Sequence, residues 1–394
     1  MTQQTPAVRP FALPLATIAA CSVANTYYLH PIIAVVGRDL GVDVASVGLI
    51  PAVNQFALAL GILLLLPLGD IFDNRSLCTV FSALQCAALA AMAAAPDVVL
   101  FTVASSLLGF VTIVPYLLPS YASRRVPKSD LAAVTAYLGA GAIIGIFAAR
   151  VAAGVLAEYV HWRVVYAVAA GVMALTTGLV RTRLVPGTPP PGTARPRYGA
   201  LLISTARVFL GTPAAIRASL TQGCNFGLAI SVWLGLALYL TSPAVGYGSD
   251  VLGYLSVLSL AGAFATPRIT RFASRFGYRT TLSGLAALQI VSILPLVCAG
   301  HALAAIAVPM FLLCATFGPT DAINRVYILS EPPAIRSRLM TCYVMSMFLC
   351  AALSSWVVSG LFGAFGWAGV LGMGAGLSAT VLLLSRKRGE PGLS

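Results

Sequence analysis

Asp321 and Arg325 stand four residues apart at the end of a long apolar stretch, so on a helix they can form an ion pair. An acid held against a guanidinium has two uses. It can remain ionised as a permanent brace, or it can lose its partner to an incoming anion and take up a proton. Arg150 lies in another apolar stretch. Its planar fork suits either a two-pronged grip on a carboxylate or phosphate, or a brace between helices. A third group is "NTYYLHP", residues 25–31, the polar centre of a segment with no charge between Arg9 and Arg38. At about 100° per residue, Asn25 and Tyr28 share one helix face while Tyr27 and His30 share another, roughly opposite. One face is expected to touch a neighbouring helix and the other an aqueous cavity, with Pro31 bending the helix just beyond. His30 adds a second titratable group for proton coupling beside Asp321, and Gln55, Asn225, Trp233 and Asn324 join the candidate cavity lining.

A fourth group, Gly69, Asp70, Asp73 and Arg75, falls between two apolar runs. Glycine permits a tight turn there. Either carboxylate can accept from the first amides of a neighbouring helix, and Arg75 can pair with a carboxylate or a helix C-terminus. A solvated loop carrying ordinary topogenic charge is the alternative. Nothing else gathers into a catalytic cluster. The three histidines are scattered, and the eight cysteines form no C-x-x-C pair and fall mostly inside apolar runs. An enzyme embedded in the membrane is therefore not expected, nor is a bound metal or cofactor.

Almost no water-soluble architecture could position these groups. The 394 residues are 59% hydrophobic and 9% charged, against about a quarter charged in soluble domains. Uncharged runs cover residues 10–37, 44–69, 76–96, 98–123, 131–149, 218–249, 280–300, 302–320 and 339–385. Most reach the roughly 20 residues that cross a bilayer as a helix. The last is long enough for two crossings, divided near residues 363–367, and the shorter runs 164–180 and 251–267 complete twelve. The first run is read as span 1 and not as a cleaved leader.

The net charge of +13 is explained by location. With a cytoplasmic N-terminus, the tails and even-numbered loops hold nearly all of the 24 lysines and arginines. The opposite side holds Arg38 and Arg163, while Arg150 and Arg325 sit at membrane depth. This asymmetry places both termini in the cytoplasm, so the basicity does not indicate nucleic acid. A stretch rich in Pro, Gly and Arg, residues 181–199, lies at the midpoint, dividing the chain into 1–180, a linker 181–212, and 213–394. The halves echo each other at an offset of 206, matching Pro127 to Pro333, Thr135 to Thr341 and Tyr137 to Tyr343. The fold expected is an all-α polytopic membrane protein, twelve transmembrane helices in two pseudo-symmetric six-helix bundles.

The stretch from "NTYYLHP" through "GLIPAVNQ" to "PLGDIFDNRSL" resembles the first two helices of the major facilitator superfamily, and within it bacterial drug- and metabolite-efflux permeases. Gly69, Asp70, Asp73 and Arg75 match the superfamily's loop between helices 2 and 3, with Asn74 where a basic residue is usual. The second copy keeps Arg275, Gly277 and Arg279 but has Thr270 and Ser274 in place of the glycine and the acid. Arg150, Gly154, Glu158 and Trp162 match the group's helix 5 ending, and Asn324, Arg325, Tyr327, Arg336, Arg338 and Tyr343 its helix 10–11 connection. His30 stands where glutamine is usual, and an acid at position 321 is not usual. The resemblance implies a monomeric secondary transporter in the bacterial inner membrane, exporting a small organic molecule against protons by alternating access. The loop would act as its gate. An importer or uniporter of a small organic anion remains open.

Overall fold

The computed structural model describes residues 8–186, 198–300 and 302–386. Its regular elements are all helices, as a bilayer demands of a chain that must satisfy its backbone hydrogen bonds internally. Ten helices cross once: Val8–Asp39, Leu49–Gly69, Asn74–Ala94, Val98–Ser123, Ser129–Tyr159, Trp162–Arg183, Pro213–Leu240, Ser249–Phe276, Tyr278–Val297 and Leu303–Leu329, here spans 1 to 10. The final stretch, Ala334–Arg386, leaves helical geometry at Gly366, whose φ of 59° suits glycine, and so supplies spans 11 and 12. In the linker the described part includes a short helix, Tyr198–Leu210, whose Tyr198 hydroxyl donates to the Leu64 carbonyl of span 2.

Spans 1 and 4 are broken. Span 1 runs as Val8–Ala24 and Leu29–Asp39, with turns at Asn25–Tyr28 between them. The interruption lies just before Pro31, which lacks an amide to donate back to Tyr27 and crowds the preceding turn. Span 4 breaks likewise at Thr112–Ile113, ahead of Pro115.

Spans 1 to 6 and 7 to 12 each pack into a bundle. In the first, span 5 lies so close along span 1 that side chains at Gly141 and Gly145 would collide with the Ala16 and Ala20 carbonyls. Between bundles, spans 2 and 11, 5 and 8, and 1 and 7 meet. Those contacts concentrate at the end of the molecule opposite the termini. Gly48 abuts Ser355 and Ser359, and a Cβ on Gly154 would sit 2.6 Å from the Ser249 carbonyl oxygen. Glu158 accepts from the Ser249 amide at 2.8 Å and its hydroxyl at 3.1 Å. At the opposite end the bundles part around a cavity of about 330 Å³, walled by spans 2, 4 and 11 and by the linker helix.

Candidate functional site

Each bundle is braced by a buried amide pair. Asn25 Nδ2 donates to Gln85 Oε1 at 2.7 Å, and Gln85 Nε2 donates to the Val111 carbonyl of broken span 4. In the second bundle Gln289 Nε2 donates to Asn225 Oδ1 at 2.9 Å, and Asn225 Nδ2 to the Phe317 carbonyl at 3.2 Å. Span 1, span 3 and span 4 in one half thus correspond to spans 7, 9 and 10 in the other. The sequence reading placed Asn25 and Asn225 on a cavity; the structure puts both inside their bundles, tying helices together. Gln85 and Gln289 were not singled out, although each interrupts an apolar run at nearly the duplication offset.

The break in span 1 also undoes the assignment of faces. With helical phase lost across Asn25–Tyr28, Asn25 and His30 border the same small space inside the first bundle instead of facing opposite ways. Tyr27 turns toward Arg150 and Tyr28 packs among apolar neighbours. His30 is 3% exposed, which places it away from the open cavity.

Arg150 joins the halves. It is buried, its Nη1 donates to Ser259 Oγ of span 8 at 3.2 Å, and its guanidinium lies 5.2 Å from the Tyr27 ring centre and 4.7 Å from that of Trp233. A cation between two aromatic faces is held by their quadrupoles. In this geometry Arg150 bridges the halves. Trp233 is its stacking partner from span 7. Gln55 is also a bridge, donating from span 2 to Ser355 Oγ of span 11 at 3.2 Å.

Asp321 and Arg325 do pair, at 2.9 Å between Oδ2 and Nε. Tyr343 of span 11 donates its hydroxyl to the other carboxylate oxygen at 2.7 Å, a partner not foreseen from sequence. The pairing uses Nε, while Nη1 reaches the Met340 sulfur at 3.7 Å and the guanidinium carbon lies 5.5 Å from the Tyr343 ring centre. The arginine and aspartate side chains are 40% and 28% exposed, so the pair is not sealed. Tyr116 lines the 330 Å³ cavity. Asn324 is buried, donating to Thr320 of its own helix.

In the loop after span 2, Asp73 caps span 3, accepting from the Ser76 amide and hydroxyl, each at 3.1 Å. Arg75 donates to the Arg181 carbonyl in the last turn of span 6 at 2.7 Å. Gly69 faces Ser337, Arg338 and Thr341 of span 11 across the cavity. The side chain of Asp70 lies outside the described residues.

Comparison with known proteins agrees with this architecture. The model of the Major Facilitator Superfamily matches residues 15–334. The chain is 27% identical over 398 residues to an uncharacterized transporter, YgaY, of Escherichia coli O157:H7, covering 98% of this chain and 97% of that one. It is 29% identical over 369 residues to a probable transporter, SCO4007, of Streptomyces coelicolor, covering 92% and 84% respectively. Among solved structures, the nucleoside transporter NupG superposes with a TM-score of 0.79 at 15% identity, over 95% of this chain and 99% of that one. The D-xylose–proton symporter gives 0.70 at 14% identity, over 94% and 97%. The chain belongs to the Major Facilitator Superfamily and is a multi-pass membrane transporter.

Proposed function

We propose that the chain is a proton-coupled carrier of a small organic anion in the bacterial inner membrane, working by alternating access with both termini in the cytoplasm. The structure then corresponds to the cytoplasm-open state. The observation that carries this reading is the partly exposed Arg325–Asp321 pair, whose carboxylate also accepts from the buried Tyr343 hydroxyl. A guanidinium held by one nitrogen has donors left for an oxyanion. An anion that takes Arg325 weakens its hold on Asp321, whose carboxylate can then accept a proton from water. Anion and proton therefore favour each other's binding, which couples their fluxes in one direction.

Export by proton antiport is the second reading. It is favoured by the resemblance of the span 1 stretch to efflux permeases, and requires a substrate that competes with the proton at Asp321. Solved neighbours of the same fold include a D-xylose–proton symporter. A thermal-shift screen of purified protein against short organic acids, repeated at two pH values, tests the site, because a ligand of the folded state raises its melting temperature. An organic acid whose stabilisation is stronger at the lower pH and is lost in Arg325→Lys is expected. Stabilisation that is unaltered in that variant would refute an anion site at Arg325.

A further inference from the structure

Four polar side chains around the span 1 break have buried atoms that no protein group satisfies: Asn25 Oδ1, both ring nitrogens of His30, Gln55 Oε1 and the Tyr166 hydroxyl. All four residues are at least nine-tenths buried or pack in the core, with His30 3% and Tyr166 1% exposed, and all four line one small space inside the first bundle. Orphaned polar groups cost about 1–3 kcal/mol each, and here they converge from spans 1, 2 and 6. The space measures about 10 Å³, close to the least room, roughly 10–15 Å³, that one water requires.

We propose that this is a binding site for a single buried water molecule. Four of the five orphaned atoms find a partner in one water, and the second His30 ring nitrogen is left unpaired. Asn25 Oδ1 and Gln55 Oε1 are acceptors only, so they take the two water hydrogens. The Tyr166 hydroxyl and the protonated nitrogen of neutral His30 donate to the water oxygen. A metal cation fits poorly, because two of the four groups present hydrogens and no carboxylate lies among them. The Arg150 guanidinium also stands nearby, 5.2 Å from the Tyr27 ring, which is itself 5.7 Å from the His30 ring. The water joins the two segments of span 1 where regular helical bonding is interrupted, and fixes Gln55, whose amide reaches Ser355 of the other bundle. The site thus links the hinge in span 1 to the seam between halves, and makes His30 a water ligand and not a carrier of transported protons.

A density map of the wild-type protein that resolves ordered water tests this directly. The expected result is one peak within about 2.7–3.2 Å of at least three of the four groups, and its persistence in Tyr166→Phe with one partner fewer. A site closed by direct pairing of these side chains, with no peak, would overturn the proposal. Thermal unfolding provides a second measurement. Melting temperatures in sodium chloride and choline chloride should coincide; a rise specific to sodium would mean that the occupant is a cation and the water reading is wrong.

Discussion

Gly154→Ala should push the transporter out of the state seen here without unfolding it. The added Cβ would stand 2.6 Å from the Ser249 carbonyl oxygen, where ordinary contact begins at 3.4 Å, so spans 5 and 8 must separate by about 0.8 Å. That movement also stretches the bond from Ser249 Oγ to the Gly154 carbonyl, now 3.1 Å. Overpacking of this kind costs about 1–3 kcal/mol. The cost falls only on the conformation in which the two spans touch, so it appears as a shift of roughly 5- to 150-fold toward the alternative state. Spin labels at Val44 and Phe365, exposed positions in opposite halves flanking the Ala45–Gly363 contact between the ends of spans 2 and 11, report the separation of the bundles by pulsed electron resonance. Two controls isolate the cause. A side chain at Gly171 meets nothing within 4 Å, so Gly171→Ala should leave the distances unchanged. Gly145→Ala strains packing inside one bundle and should lower the melting temperature without favouring the open seam. If Gly154→Ala leaves the distance distribution where it was, the contact between spans 5 and 8 does not hold this state and the steric argument fails.

Three further substitutions follow from the geometry. Arg150→Lys keeps the charge but loses the fork and the flat stacking on Trp233, so the same labels should show a wider seam while ligand affinity is retained; an affinity loss of tenfold or more would return Arg150 to substrate recognition. Tyr343→Phe removes one donor from Asp321, a loss of about 1.5–3 kcal/mol for a bond to a charged group, and should alter the pH dependence of transport measured in vesicles; an unchanged profile would remove Tyr343 from the site. Asp73→Asn keeps a good helix cap but removes the charge, so expression should be normal while transport falls, and undiminished transport would reduce the loop to a solvated turn.

Much of the fold is written in one property, the absence of charge over runs near 20 residues, because a bilayer penalises charge at every depth. The duplication is legible for a similar reason: Pro127, Thr135 and Tyr137 recur at Pro333, Thr341 and Tyr343. The Asp321–Arg325 pair follows from helical spacing alone. Side-chain direction stops being legible where helical phase is broken. Asn25 and His30 were assigned faces by rotation along an unbroken helix, and the turn before Pro31 makes that rotation meaningless. Contacts between distant segments were illegible as well. Nothing local to Arg150 announces Ser259, 109 residues away, or the ring of Trp233, and nothing near Asp321 announces the Tyr343 hydroxyl.

Transport by reconstituted vesicles carrying Asp321→Asn bears most directly on the proposed coupling. An organic acid identified by thermal shift would be loaded on both sides, and a pH difference then imposed. Wild-type protein should accumulate the acid on the alkaline side, against its own gradient. The variant should still exchange labelled for unlabelled acid across the membrane but no longer concentrate it. Accumulation by Asp321→Asn at the wild-type level would show that the proton travels elsewhere and contradict the account.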